Sequence, residues 1–294
     1  MNRPSFPLYA SVNVTTFCNL DCMYCYMKPH RNERMSLEDF RFVIDELAEG
    51  PVFYVLLSGG EPFTHPDIQE MIAYACDHVD EVSLVTNGTL LSEEDVSFLR
   101  RRDTSNLSVQ VSLDSIVDEE NRLLRTVRSS IVADKIRELS DVGVSLSVGL
   151  VMSRHNYASI RETVVALHEY VRHFNIMVLQ NTVNNRHLTD SIGVDEEDLR
   201  KVHEWVAEFR KGRDFSVTLP RDIVRTEECT ARGAPCSAAF SYVAIDPDLR
   251  VRPCDRVTDV FIGDLREHSI RDIWESTSAS EVRGRTELLC SKYR

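Results

Sequence analysis

Short β-rich runs alternate with amphipathic stretches through the first two-thirds of this 294-residue chain, and that alternation points to a parallel α/β sheet. Strands are predicted at Leu8–Thr15, Phe53–Leu57, Val82–Val85, Leu107–Leu113, Val144–Met152 and Asn175–Leu179. Helices are predicted between or after them at Ser36–Glu49, Pro66–His78, Ser92–Arg102, Ile131–Val142, Ile160–His173 and Val194–Lys211. Parallel strands need crossovers of roughly a dozen residues, which these stretches supply. Ser36 and Ser92 each stand three residues ahead of an aspartate (Asp39 and Asp95), the spacing with which a hydroxyl and a carboxylate close a helix N-terminus. Strands with helical crossovers fit either an open doubly wound sheet or part of a (β/α) barrel.

The tail has another rhythm. Phe240–Ile245 and Leu249–Arg252 flank Asp-Pro-Asp, a hairpin pattern around a proline turn, and a short helix follows at about Ile270–Thr277. This places a boundary near Gly212–Arg221, giving a domain over 1–215 and a small module over 216–294. Apolar residues make up 43% of the chain, enough for a packed core. No run approaches the ~18 apolar residues of a membrane span, and the N-terminus lacks the pattern of a secretory signal, so neither membrane insertion nor export is expected and the protein is placed in the cytoplasm. The net charge of −13 argues against nucleic acid as a partner and would favour a cationic small molecule.

Eight cysteines are many for a cytoplasmic chain, where clustered thiols signal metal or catalysis. Cys18, Cys22 and Cys25 form CxxxCxxC directly after the first predicted strand, where loops of parallel barrels carry active sites. Three thiolates can hold three irons of a [4Fe–4S] cube and leave the fourth open to a substrate. A zinc knuckle would want a fourth protein ligand and CxxC pairs. Cys76 stands on an apolar helix face and is expected to be core.

The motif Cys18-Asn-Leu-Asp-Cys22-Met-Tyr24-Cys25 resembles the defining motif of the radical S-adenosylmethionine (SAM) superfamily. Ser58-Gly59-Gly60-Glu61-Pro62, after the second strand, resembles that family's GGEP motif. The resemblance covers roughly residues 8–180 and implies a partial (β/α)6 TIM-like barrel. It also implies a cluster whose open iron binds SAM, so that one-electron reduction yields methionine and a 5′-deoxyadenosyl radical. Tyr24 would lie near the adenine, Gly59 and Gly60 near the methionine portion, and Glu61 near its ammonium. Asn87 and Ser112 match family positions at the barrel mouth, with Ser112 placed for a ribose contact.

In the tail, Cys236 and Cys254 bracket the predicted hairpin, and Cys290 follows. This resembles the SPASM/twitch extension of radical SAM enzymes, implying a β-hairpin/helix module that holds an auxiliary cluster. The expected cofactors are therefore SAM and two [4Fe–4S] clusters, with a flavodoxin or ferredoxin as reductant. Position 293 is Tyr where such a module often has another cysteine, so the fourth ligand is either absent or comes from elsewhere, with Cys229 the spare candidate.

Size and layout are similar to aminoglycoside epimerases and aminocyclitol dehydrogenases, so the leading expectation is hydrogen abstraction from an aminoglycoside or aminocyclitol. Epimerisation would need a thiol hydrogen donor, for which Cys254 and Cys229 are the candidates; oxidation would pass an electron to the auxiliary cluster. The alternative is a peptide-modifying SPASM enzyme, made less expected, though not excluded, by a first strand that starts by about residue 8 and leaves no room for a leader-peptide domain. An iron–sulfur or zinc protein without catalysis would leave the GGEP loop without a purpose. Asp114, His155, Asn156, Gln180 and Asn181 fall at strand ends, where substrate is expected, and Asp246, Asp248 and Asp255 are candidates for contacting a cation. Cys22→Ala is expected to abolish 5′-deoxyadenosine formation and lower bound iron; unchanged SAM cleavage would refute the cysteine-loop assignment.

Overall fold

The computed structural model describes residues 4–102, 105–179, 186–220 and 237–284, which fall into two compact units. The first unit holds Met1–Asn19, Tyr26–Leu84 and Val224–Arg294; the second holds Leu20–Cys25 and Val85–Ile223.

The first unit opens with β1 (Tyr9–Thr15), α1 (Leu37–Ala48), β2 (Tyr54–Gly59), α2 (Ile68–His78) and most of β3 (Glu81–Thr86). Strand β2 lies parallel to β1, pairing Tyr9 with Tyr54 and Asn13 with Ser58, and Leu57 of β2 pairs with Leu84 of β3. Helix α1 forms where the Ser36 hydroxyl accepts from the Asp39 N–H at 3.0 Å, and it buries Phe40, Val43, Ile44 and Leu47. Both faces of β1 are buried: Ala10, Val12 and Val14 make an apolar row, and Ser11, Asn13 and Thr15 a polar one. A central parallel strand is covered on both sides, so a polar row there must find internal partners.

Two further strands of this unit come from the tail. β8 (Tyr242–Ile245) runs parallel to β1, with Ser11 opposite Ala244, and β9 (Arg250–Arg252) returns antiparallel, with Ile245 opposite Val251. The turn between them places Leu249 at φ 64°. β10 (Gly263–Asp264) pairs with β9, and α9 (Ile270–Glu275) and α10 (Thr277–Gly284) follow. The expected hairpin and helix are present, and the hairpin lies on the edge of β1 opposite β2.

In the second unit, α3 (Glu93–Arg101), β4 (Leu107–Ser112), α4 (Asp118–Arg125), α5 (Ser129–Ser140), β5 (Ser145–Met152), α6 (Ile160–Leu167), β6 (His173–Val178), α7 (Arg186–Ile192), α8 (Glu196–Phe209) and β7 (Ser216–Thr218) succeed one another. Strands β4 to β7 are parallel neighbours in that order. Ser92 and Asp95 close a complete capping box on α3. Helix α6 is shorter than the sequence predicts: buried Val171 turns the chain into β6, whose His173 pairs with Ser147. Helix α4 was not expected, because Asp-Glu-Glu-Asn-Arg-Leu-Leu-Arg shows little apolar stripe; only Asn121 and Leu124 are buried. Strand β7 lies in the segment read as a boundary. Among the described residues no helix is long and apolar enough to cross a membrane.

Trp274 is the largest fully buried side chain of the first unit. Its indole N–H donates to the Pro4 carbonyl at 3.1 Å, and the Arg283 guanidinium stands 4.6 Å from its ring centre. Arg283 also donates to the carbonyls of Ala239 and Trp274, so one aromatic and one cation tie the last helices to the start of β8. Trp274→Ala is expected to cost about 3–5 kcal/mol in urea unfolding, and a loss below about 1 kcal/mol would show the site collapsing around the change.

Candidate functional site

In the first unit, the chain leaves β1 at Thr15 and enters the cysteine loop at Cys18 between two braces. On one side, the Thr15 hydroxyl donates to the Glu33 carbonyl at 2.9 Å and the Thr16 hydroxyl to that of Arg31 at 2.5 Å. On the other, the Gly60 and Glu61 N–H groups donate to the carbonyls of Thr15 and Phe17, each at 2.8 Å. A Cβ on Gly59 would come within 2.2 Å of the Thr15 oxygen, and one on Gly60 within 2.0 Å of the Phe17 oxygen. Gly59 also has φ +128°, a conformation that favours glycine. The paired glycines are thus required by the chain's own approach to the strand end, a reason distinct from the ligand contact expected of them. Glu61 is buried, and its Oε1 accepts from the Phe63 N–H at 3.1 Å, capping the short 3-10 turn Pro62–Thr64.

In the second unit, the segment from Leu20 to Cys25 is held by α4 and the loop after it. The Met23 N–H donates to Leu124 O at 2.8 Å and the Asp21 N–H to the Thr126 hydroxyl at 3.1 Å. The Tyr24 hydroxyl donates to Oδ2 of fully buried Asp114 in a short bond. Arg125 Nη1 donates to the Tyr24 oxygen at 2.8 Å and to Asp114 Oδ1 at 3.3 Å. Asp114 Oδ1 also accepts from the Val151 N–H at 2.9 Å, and Asn156 Nδ2 donates to the Asp114 carbonyl at 2.8 Å. Burial raises the Tyr24 phenol well above its ordinary range, and the Asp114 charge adds to this while Arg125 opposes it. Burial disfavours the Arg125 cation, but Tyr24, Asp114 and Cys22 together more than offset it and raise its pKa. Arg125 therefore stays charged beside the cysteine loop.

Cys22 is buried, and Cys18 and Cys25 are half-buried. Asn87 is buried in an Asn-Gly turn, where its Oδ1 accepts from the Thr89 N–H at 2.9 Å and Gly88 has φ +76°. Ser112 ends β4 half-buried. Asp114 and Asn156, expected near substrate, are instead fully buried and committed to the chain's own backbone. His155 is exposed, and Gln180 and Asn181 lie outside the described residues. Cys76 sits at the half-buried margin of α2, beside its buried residues Met71, Ile72 and Ala75, and not among them as expected.

Of the tail cysteines only Cys254 falls among the described residues, half-buried just after β9; Cys229, Cys236 and Cys290 lie outside them. The three tail aspartates already have partners: Asp246 meets Arg252 at 2.6 Å, Asp248 meets Arg250 at 2.6 Å, and Asp255 accepts a short bond from Tyr242. Burial raises the Asp255 carboxyl above the usual carboxylate range, with Tyr242 and Arg252 opposing it.

Among the described residues no three histidine, cysteine, aspartate or glutamate side chains converge where a single metal ion would sit. A four-iron cube gives each thiolate an iron of its own, so its ligands do not meet at one point. Three thiols on one short loop are the donor chemistry such a cube takes.

A family model described as the radical SAM superfamily matches residues 12–167, and one described as the SPASM iron–sulfur cluster-binding domain matches 236–292. The chain is 28% identical over 281 residues to the antilisterial bacteriocin subtilosin biosynthesis protein AlbA of Bacillus subtilis, covering 94% of this chain and 61% of AlbA. It is 28% identical over 290 residues to the PqqA peptide cyclase of Gluconobacter oxydans, covering 93% of this chain and 78% of that enzyme. Among solved structures, Streptococcus suis SuiB bound to its precursor peptide SuiA matches with a TM-score of 0.82 at 18% identity, over 96% of this chain and 67% of SuiB. That likeness gives the fold: α/β, a partial (β/α)6 TIM-like barrel followed by a β-hairpin/helix module.

Removing the Asp114 carboxylate leaves the Arg125 charge buried and the Val151 N–H unmet. Asp114→Ala is expected to lose about 3–5 kcal/mol in chemical denaturation, and the double variant Asp114→Leu/Arg125→Met to recover much of it. Equal losses in both variants would show that the pair contributes only through packing.

Proposed function

The chain belongs to the radical SAM superfamily and carries a SPASM iron–sulfur module, and on that premise we propose that it is a peptide-modifying enzyme. The observation that carries this reading is the similarity to AlbA and the PqqA peptide cyclase. It extends over 94% and 93% of the chain, through barrel and tail alike. The aminoglycoside and aminocyclitol expectation rested on size, layout and net charge. The acidic groups it would use for a cation, Asp246, Asp248 and Asp255, are already answered by Arg252, Arg250 and Tyr242.

The cofactors of the family, SAM and a [4Fe–4S] cluster with further iron–sulfur in the SPASM module, supply one-electron chemistry that begins with hydrogen abstraction from substrate. In this chain Cys18, Cys22 and Cys25 would hold the SAM-binding cluster. Cys236, Cys254 and Cys290 would serve the auxiliary one, with Cys229 in reserve. Tyr24, Gly59, Gly60, Glu61, Asn87 and Ser112 would line the SAM site. The first-unit clasp on Thr15 and Phe17 fixes where the backbone enters Cys18. In the second unit, the Tyr24–Asp114–Arg125 network fixes the segment that bears Cys22 and Cys25 and brings a cation to bear on Cys22. Preorganised loop ends keep thiol positions from depending on the metal alone.

The test uses anaerobically reconstituted protein with SAM and a reductant in deuterated water, offered a peptide panel and an aminoglycoside panel side by side. Mass spectrometry is expected to show peptides that have lost hydrogen or gained solvent deuterium, with aminoglycosides unchanged. Altered aminoglycosides and untouched peptides would overturn the peptide reading.

A further inference from the structure

In the second unit, helix α4 has almost no core face, and what it does for the molecule is done at its ends. Its buried Asn121 accepts from the Asp114 N–H at 3.1 Å and donates to the Val127 carbonyl at 3.0 Å, which fastens the helix to the end of β4. At its last turn, the Leu124 carbonyl accepts from the Met23 N–H at 2.8 Å, and the Thr126 hydroxyl accepts from the Asp21 N–H at 3.1 Å. The residues on either side of Arg125 are thus bonded to the residues on either side of Cys22. Arg125 and Cys22 stand opposite each other in that register.

The backbone is strained to keep it. Thr126 has φ 61° and ψ 17°, a left-handed conformation that a β-branched residue adopts only at a cost. Such outliers persist where their surroundings over-determine them, and they gather at functional places. Here the Thr126 N–H donates to the Arg122 carbonyl at 3.0 Å while its hydroxyl holds the Asp21 amide.

The two charges that meet beside the loop are unequally answered. Asp114 accepts from Tyr24, Arg125 and the Val151 N–H, which spreads its charge over three donors. Arg125 is only 12% exposed; Nη1 makes its bonds to Tyr24 and Asp114, and its buried Nε–H meets no protein acceptor. The cation is therefore the less neutralised partner, and it is the one in register with Cys22, which lies within reach of its charge.

A four-iron cluster gains one negative charge when it takes up an electron, and its potential follows the net charge and solvent exposure around it. A cation in a poorly solvated place acts strongly on such a change, because little water screens it. Arginine also keeps its charge at any working pH.

We propose that Arg125, held opposite Cys22 by the Leu124 and Thr126 bonds, raises the reduction potential of the [4Fe–4S] cluster that Cys22 serves. Arg125 is a positioning residue that acts through the cluster and not on the substrate, and Asp114 is the opposing charge that limits the shift. The proposal rests on the family's cluster and is independent of the peptide reading.

The test poises the full chain, anaerobically reconstituted, at a series of potentials with dithionite and mediator dyes, and reads the reduced cluster by EPR. The signal that changes on adding SAM is the one followed. Arg125→Met is expected to lower its midpoint by about 59 mV, an about tenfold loss of the reduced form at a fixed potential, and Arg125→Lys to keep most of the native value. Asp114→Asn removes the opposing charge and is expected to raise the midpoint. A residue that mattered only for packing would not move the two neutralised variants in opposite directions. Iron content and thermal unfolding report assembly, and should Arg125→Met fail to assemble, Asp114→Asn decides alone. A native midpoint in assembled Arg125→Met overturns the proposal, and so does one unchanged or lowered in Asp114→Asn. Opposite shifts in a protein that alters no peptide would keep this role and remove the peptide reading; equal midpoints in a protein that alters peptides would do the reverse.

Discussion

Strand β1 is paired on both edges and buried on both faces, and the first unit is organised around that position. Its apolar row fills the core in the ordinary way. Its polar row cannot be solvated, so Ser11, Asn13 and Thr15 must be answered from inside. Thr15 is met by the Glu33 carbonyl, which draws the segment after the cysteine loop back against the strand end. Asn13 is met by Asp246 from the tail hairpin, and its second polar atom is left over. The clasp by Gly60 and Glu61 then sets where the chain turns towards Cys18.

A similar principle works in the second unit with charge in place of neutral groups. Asp114 and Arg125 are buried together, and a buried ion pair gains little over apolar packing unless its remaining valences are filled. Here Tyr24 and the Val151 amide fill those of the carboxylate. The pair is therefore better understood as a device for orientation, fixing α4 and the segment bearing Cys22 and Cys25, than as a reservoir of stability.

Much of this was legible in the residues. The strands of the first two-thirds show in the sequence as short β-rich runs between amphipathic stretches, and the caps at Ser36 and Ser92 show because hydroxyl and carboxylate spacing reports a helix start. The CxxxCxxC and GGEP motifs gave the family. Other features were hidden for physical reasons. Helix α4 is amphipathic through two buried residues only, too few to register as a stripe. Asp114 and Asn156 stand at strand ends, where substrate-facing groups and backbone anchors look alike in sequence, and the structure makes both of them anchors. The glycines of GGEP are expected from the motif to make room for a ligand, and the structure adds a requirement the motif does not show, the close approach of the Thr15 and Phe17 carbonyls. An acidic balance suggested a cationic substrate, but a count of charges does not reveal that Arg252 and Arg250 lie against the very aspartates concerned.

The bond between Asn13 and Asp246 joins residues 233 positions apart, and the β1–β8 pairing spans a similar separation. Such contacts are late events for a growing chain, because loop closure of that length has to wait for the distant partner to be made. As the protein leaves the ribosome, β1 and β2 can associate early, but the other edge of β1 stays open until Tyr242–Ile245 emerges. An unpaired, largely apolar edge is a template for foreign strands. The tail hairpin therefore has a second part to play in the life of the molecule: it closes the seam that would otherwise leave the nascent barrel prone to aggregation.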